Sequence, residues 1–485
     1  MAARGVTRGR AVADGGSDRD RSAGQSGLTP GFGVDPRRCG CAGKTPLDRV
    51  VFPARHRVRE ALDGTSVRLG PVADAAMLAD AAADGAIERA VDVVELGEER
   101  PAVPFDGGDD GDGDAGGTPV VTLACAFVGD DLVDAERFGD ALATAYAGLD
   151  GPAVTIGKGH AVQVPGLEGG LLWLEHLRST AGGDAAGTTR RSSTGHLAAN
   201  VDAVHAFPGI RPPEQSRIAT LNAWNDVYAA GATVGRVVRP VVAAPAGVDP
   251  SPSRATDWYR AGLPSEVRVL RASVLAHGGE GWLLGASVTA RGGVDSTDPP
   301  IPDDCGVLVT RPPGGLAAFA LGTIDGDRGL RELGRDRLTR DARPVAEALA
   351  TCQPAPGESF DPARHLARVT DVSGEGIGGI GRLVARDGRS LRIERLPILS
   401  GVAEASDGRW RLPDVTVETN GPFAAVGTPS ALARATDRLR SVGRADPVRI
   451  GTVDDGDAPI RDATDDDPSR LVESAARWPT AEGER

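Results

Sequence analysis

Two thiols and an ammonium fall in one short stretch, Cys39-Gly40-Cys41-Ala42-Gly43-Lys44. Lysine occurs only twice in the chain, at Lys44 and Lys158, and arginine supplies nearly all the positive charge. Arginine's planar fork does not replace a compact ammonium on a flexible stem, so a lysine kept here points to a need for a point charge. A thiolate beside an ammonium is an activated, soft nucleophile. Cys39, Cys41 and Lys44 are therefore the first candidates for catalytic groups. The Cys-x-Cys pair could also help hold zinc, but no second CxxC or HxxxH completes the four ligands of a closed site.

Oxygen ligands come next. In the stretch Arg217 to Tyr228, Asn222, Asn225 and Asp226 stand at i, i+3 and i+4 and share one helix face, while Ile218, Leu221 and Tyr228 form another stripe. The polar triplet needs partners, either phosphate and metal or water and a neighbouring backbone. Asp74, Asp202 and Asp371 each lie among apolar or small residues at strand ends or loops. A buried carboxylate is costly unless a cation neutralises it, and oxygen-only ligands suit Mg²⁺ bridging nucleotide phosphates. Each of these aspartates could equally cap a helix or turn. Gly374 to Gly379 spells GxGxxG, yet Glu375 inside it would oppose a pyrophosphate and no βαβ unit surrounds it. That stretch reads as a glycine-rich helix start packed on a sheet. Lys158, in Ile156-Gly157-Lys158-Gly159-His160, reads as a second lysine loop without P-loop spacing, and its role stays open.

The elements that must position these groups follow an α+β grammar. Residues 1–27 read as a disordered tail. Residues 47–62 alternate like a helix and 65–69 like a strand. A stretch from about 81 to 191 looks like an inserted α/β subdomain, with strands at 120–128 and 153–156 and a helix at 134–146. Strands are expected at 198–206 and 237–244, the latter at an edge or a bulge because of Pro240. A helix is expected from about 216 to 230, and strands near 267–276 and 281–290. Pro299 to Asp304 marks a boundary between a domain at 28–297 and one at 298–450. In the second, strands are expected at 305–310, 391–396 and 415–418, and helices near 328–351, 362–370 and 428–441. Residues 451–485 read as an acidic tail.

The chain has 485 residues, 40% of them hydrophobic, but aromatics make up only 4%, so its core is built from small aliphatics. The net charge of −14 and the scarcity of lysine fit a salt-adapted protein kept in solution by acidic self-repulsion. Such a surface makes a poor nucleic-acid or anionic-membrane binder. Five cysteines is an odd number, which argues against a disulfide framework and for a reducing, cytoplasmic setting. No secretory signal and no membrane-length apolar run is visible.

Taken in order, Leu28-Thr29, Gly40-Cys41-Ala42-Gly43-Lys44, Ala73-Asp74-Ala75-Ala76, Asn200-Val201-Asp202, Asn222 to Gly231, Asp371 to Gly376 and Thr419-Asn420-Gly421 resemble selenophosphate synthetase (selenide, water dikinase). That family belongs to the ATP-dependent superfamily of aminoimidazole ribonucleotide synthetase (PurM-like). The resemblance covers residues 28–80 and 195–450. It implies two α/β domains, a homodimer built around a β-barrel, and ATP held with several Mg²⁺. By the same resemblance Asp74, Asp226 and Asp371 would hold metal. Lys44, Asp202, Asn222 and Asp226 would line the nucleotide, together with Gly278 and Gly279, which match part of a Gly-Gly-His motif. Cys41 takes the reactive-cysteine position, and the implied reaction converts ATP, selenide and water to selenophosphate, AMP and phosphate. The sequence departs from the pattern at Gly43, Asn225, Glu280 and Glu375. Three alternatives stand beside this reading. One is a diverged superfamily enzyme acting on sulfide or on an amide or carboxylate oxygen. Another is a nucleotide-binding regulator without turnover, and the third is a redox or metal-handling protein using Cys39 and Cys41.

Overall fold

Near-continuous valine and alanine runs such as 237–244 make strands that are covered on both faces. The computed structural model describes residues 33–43, 68–69, 87–94, 120–127, 154–163, 171–179, 191–192 and 195–462, apart from 246, 249–250, 277–279, 293–298, 407–413, 444 and 457–458. These residues form three open sheets with helices between and around them, a mixed α/β architecture. No described helix is long and apolar enough to cross a membrane.

Strands β1 (Arg68–Leu69), β2 (Ile87–Val94), β3 (Val120–Phe127), β4 (Val154–Gln163) and β5 (Leu171–Ser179) form one sheet in the order β1-β4-β5-β3-β2. Lys158 lies within β4 at a register shift between Ile156 and Gly159, so it belongs to a strand and not to a loop. The helices expected at 47–62 and 134–146 lie outside the described residues.

The next sheet is built from β6 (Arg191–Ser192), β7 (Gly195–His205), β8 (Ala232–Ala244), β9 (Arg268–Val269), β10 (Ser273–Ala276) and β11 (Leu283–Gly292). Its order is β10-β8-β11-β7-β6, with β9 beside β8. Pro240 sits in an interior strand, contrary to the edge or bulge expected of it. β9 pairs with Val237 and Val238 and β10 starts at Val241, so Pro240 falls at the break between them, where a missing N–H costs no ladder bond on that side. Helices α1 (Pro212–Ala229) and α2 (Pro252–Gly262) pack against each other and this sheet.

The third sheet contains β12 (Gly306–Val309), β13 (Arg368–Asp371), β14 (Arg389–Ile393), β15 (Phe423–Gly427), β16 (Val448–Asp455) and β17 (Ile460–Asp462), in the order β13-β15-β12-β16-β14-β17. Its helices are α3 (Gly315–Ile324), α4 (Arg328–Thr339), α5 (Arg343–Ala350), α6 (Ile377–Ala385), α7 (Val402–Ala405) and α8 (Pro429–Ser441). Leu308 and Ala425 face one core while Val307, Val309, Ala424 and Val426 face another, the period of two expected of a sheet buried on both sides. The helix expected at 328–351 is broken in two before Pro344. The one expected at 362–370 is a turn leading into β13, because Asp361 uses its carboxylate on Ala363 N–H. Residues 414–416 form a single 3₁₀ turn instead of a strand, and the acidic tail begins later than expected, since β16 and β17 run on to 462. At the GxGxxG stretch Gly376 has φ +53 and precedes α6, as the helix-start reading requires.

One apolar core runs from the β7–β11 sheet through α1 to α5, α8 and the Leu308 face of the third sheet. α1 is therefore buried almost all round. Its polar residues survive there because each finds a partner: Ser216 and Thr220 hydroxyls donate to the carbonyls of Pro212 and Ser216, and Gln215 accepts Phe207 N–H. Glu214, in its first turn, holds Arg335 of α4 with a two-pronged ion pair at 2.5 and 2.6 Å.

Glu418 is fully buried and caps α3, accepting Gly314, Gly315 and Leu316 N–H at 2.7, 2.9 and 3.1 Å. Burial nonetheless pushes its pKa up, partly offset by Arg311 and these N–H groups. Glu418→Ala is expected to destabilise the fold by about 2–4 kcal/mol, since three buried donors lose their acceptor. Glu418→Gln, which keeps one carbonyl oxygen, is expected to cost clearly less. Urea midpoints of the two variants check this ordering.

Candidate active site at the junction of two sheets

Asn200 and Asp202 stand two residues apart on β7, so both side chains leave the same face, the one covered by α1. Asn222 and Asp226 stand four apart on α1. Two strand residues span about 6.6 Å and four helical residues about 6 Å, so the two pairs match in pitch. The pairing is crossed. Asn222 Nδ2 donates to Asp202 Oδ2 at 2.7 Å, and Asn200 Nδ2 donates to Asp226 Oδ2 at 2.7 Å. Ala203 N–H holds the other oxygen of Asp202, and Asn200 also reaches Ala223 O. Each carboxylate is thereby aimed by an amide on the opposite element. Asn200, Asp202 and Asn222 are buried, and Asp226 is half-buried.

The thiol segment joins this cluster through Gly40, which bridges to His205 at the end of β7. Gly40 has φ +63, and a Cβ there would lie 2.4 Å from Thr419 Oγ1 and 2.6 Å from the Phe207 ring, so only glycine fits. Cys41 N–H then donates to Thr419 Oγ1 at 2.7 Å, and Cys41 Sγ donates to Asn222 Oδ1 at 3.4 Å. Asn420 N–H donates to the same Oδ1 at 2.9 Å. The two donors fix which end of the Asn222 amide is oxygen. Asn420 itself is buried at φ +55, with Nδ2 on the carbonyls of Leu338 and Arg340 at 2.9 and 2.8 Å. Cys39 is fully buried, its Sγ on Pro36 O, and burial pushes its pKa well up, with the Asp35 carboxylate adding to the shift.

Asn225, one step before Asp226, donates to Gly421 O at 3.4 Å, while its Oδ1 is buried without a hydrogen bond among the described residues. Gly421 lies against Val372, since a Cβ on it would meet Val372 O at 1.9 Å. The Asn225–Asp226 turn is thus brought beside the end of β13, whose last residue is Asp371, half-buried. Among the described residues no three His, Cys, Asp or Glu side chains form a metal-binding group. A cation held by one or two carboxylates, with waters and phosphate oxygens completing its shell, needs no such group. That is how Mg²⁺ binds, and the carboxylates of Asp226 and Asp371 are donors of the kind it takes.

Of the residues singled out from the sequence, Cys39, Cys41, Asp202, Asn222, Asp226 and Asp371 come to this junction. Lys44, Asp74, Gly278 and Gly279 lie outside the described residues. Sequence reasoning passed over Asn200 and Asn420 as site residues. The Asn-x-Asp spacing on β7, a mirror of Asn-x-x-x-Asp on α1, is the signal that pairs the first of them with Asp226.

No family model and no curated protein sequence matches the chain. Among solved structures it is similar to the hydrogenase maturation protein HypE, with 16% identity and a TM-score of 0.43 over 58% of this chain and 89% of that one. HypE in complex with ATP aligns with the same identity and score over 58% and 85%. Thiamine-monophosphate kinase from Stenotrophomonas maltophilia K279a aligns at 17% identity and TM-score 0.42 over 58% and 89%.

Two outcomes check the site's electrostatics. Asn222→Ala is expected to lower stability by about 2–4 kcal/mol by stranding Asp202 and Asn420 N–H. Asn222→Asp, nearly the same shape, is expected to be worse at pH 7, because it sets a carboxylate against Asp202, and to recover as acid protonates one of the pair. The second outcome concerns alkaline pH. Burial raises the pKa of Cys39, Tyr228 and Tyr259, and that of Cys305 to about 11. In the unfolded chain thiols ionise near 9.0 and phenols near 10.0, while the folded groups keep their protons. The unfolded state then binds fewer protons, so stability is whole below pH 9 and falls as pH rises above it. Denaturation midpoints between pH 8 and 11 should show that decline, made shallower in Cys39→Ala.

Proposed function

We propose that the chain is an ATP- and Mg²⁺-dependent phosphoryl transferase, with a small chalcogenide, selenide first, as acceptor. The observation that carries the first part is the crossed Asn200–Asp226 and Asp202–Asn222 pairing, beside half-buried Asp371. Phosphoryl transfer asks a protein chiefly for positioning and charge stabilisation. Amides that lock carboxylates in place across two rigid elements supply the positioning. Asp226 and Asp371 would hold Mg²⁺, which would supply charge neutralisation for the transferring group. Asn222 and Asp202 orient the phosphates, and Lys44 adds the point charge that its resemblance assigns. Cys41, in the position of the reactive cysteine, would hand selenide to the transferring phosphoryl group. The balanced reaction takes ATP, selenide and water to selenophosphate, AMP and phosphate. Assembly as a homodimer belongs to the same proposal.

A specific observation favours a second reading, transfer to an oxygen acceptor. Cys41 Sγ is buried against Asn222, and Cys39 is held as a neutral thiol by burial, so both sulfurs have structural employment.

Phosphorus NMR of the purified protein with ATP and Mg²⁺ in high salt, with and without anaerobic selenide, tests both. Selenide-dependent selenophosphate with AMP, lost in Cys41→Ser and Asp226→Ala, is the expected result. ATP turnover indifferent to selenide and retained in Cys41→Ser would select the oxygen acceptor. Bound nucleotide without turnover would refute both and leave a nucleotide-binding regulator.

A further inference from the structure

The oxygens at the junction are not equally open to a ligand. Both oxygens of Asp202 are engaged inside the protein, Oδ1 by Ala203 N–H and Oδ2 by Asn222 Nδ2, each at 2.7 Å. Asn222 Oδ1 takes two donors, Cys41 Sγ–H and Asn420 N–H. Asn225 Oδ1 and Asp371 Oδ2 are buried. Asp226, half-buried, has one oxygen tied down: Asn200 Nδ2 donates to its Oδ2 at 2.7 Å. Asn200 is not free to follow that carboxylate if it turns. It is buried on β7, and its Nδ2 also donates to Ala223 O at 3.2 Å, on the backbone of the helix that carries Asp226. One amide therefore pins the carboxylate against its own helix.

The junction thus offers a cation few protein oxygens, and that scarcity discriminates between the two common hard cations. Ca²⁺ gathers about 6–8 oxygen ligands in a flexible shell and readily takes both oxygens of one carboxylate. Mg²⁺ keeps several of its waters in a strict octahedron and asks the protein for only one or two carboxylates. Groups that orient a metal ligand without touching the metal commonly change its affinity by about 10–100-fold.

We propose, resting on the Mg²⁺ reading above, that Asn200 sets the cation preference of the site. By holding Oδ2 it keeps Asp226 a one-oxygen ligand, which suits Mg²⁺ and disfavours Ca²⁺. Asn200 acts through Asp226 and is a positioning residue. Without its amide, Asp226 turns to offer both oxygens, so Ca²⁺ gains while Mg²⁺ loses. A contact that served the fold alone would, on removal, weaken both cations together.

Mn²⁺ binding to the full chain is followed by water-proton relaxation, with nucleotide left out so that its phosphates do not compete. Mg²⁺ and Ca²⁺ are then titrated in separately as competitors. In the wild type Mg²⁺ is expected to displace Mn²⁺ at a lower concentration than Ca²⁺ does. In Asn200→Ala the ratio of the two midpoints should move toward Ca²⁺ by about tenfold. Asn200→Asp keeps the shape but replaces the donor with a second carboxylate, and should move the ratio in the same direction. If Asn200→Ala does not fold, Asn200→Asp and the order of the wild-type midpoints decide. A ratio unchanged in the variants, or a wild type that yields Mn²⁺ to Ca²⁺ as readily as to Mg²⁺, would overturn the role of Asn200 alone. No bound Mn²⁺ in the wild type, or binding that survives in Asp226→Ala, would overturn the Mg²⁺ reading itself and this inference with it.

Discussion

Four residues that look like a loop, Glu418 to Gly421, hold together everything around them. They are buried, and every polar group that enters a core must find a partner or lose about 1–3 kcal/mol. Glu418 answers three N–H groups of α3, Thr419 the backbone of Cys41, and Asn420 the amide of Asn222, the guanidinium of Arg311 and the last carbonyls of α4. Gly421 lets the chain pass against Val372. Asn420 accepts a left-handed backbone to do this, a conformation tolerated by asparagine better than by most residues. The third sheet and the β7–α1 unit are thus joined by a polar seam embedded in an apolar core.

That seam explains why α1 is both a core helix and the carrier of the site. A helix buried all round is ordinarily apolar all round. Here Asn222, Asn225 and Asp226 are retained in the interior because a strand, a thiol segment and a loop each bring the complementary group to them. The same low-dielectric setting that makes an unmatched amide expensive makes a matched one directional. The carboxylates consequently stand in one orientation before any ligand arrives, the condition a phosphoryl-transfer site requires.

The helical spacing of α1 was legible because an apolar stripe and a polar triplet both recur there at helical intervals. β7 and β8 were legible from their valine- and alanine-rich runs, and α8 was expected at 428–441, where it lies. α3 was not, since Gly315 to Ile324 carries no polar residue except one threonine and no periodicity to separate helix from strand. Pro240 misled because a single chain does not reveal that its neighbour on one side is two short strands with a gap. At the site, Asp202, Asn222 and Asp226 could be picked out by composition and by family resemblance. Asn200, Arg311 and Glu418 could not, for a charged or amide residue in a sequence looks like surface until its partners, often more than a hundred positions away, are known.

The reach of those contacts carries a temporal consequence. Cys41 and Thr419 are separated by 378 positions, and Asn222 and Asn420 by 198. During synthesis the β7–α1 unit leaves the ribosome long before the segment that completes its polar groups, so Asn222 waits with its oxygen facing solvent or other transient donors. Domains emerging first generally fold first, but this one cannot close its interior until translation has passed Gly421. A nascent chain stopped short of that point would expose α1, which makes the Glu418–Gly421 segment the licence for a unit made some two hundred residues earlier.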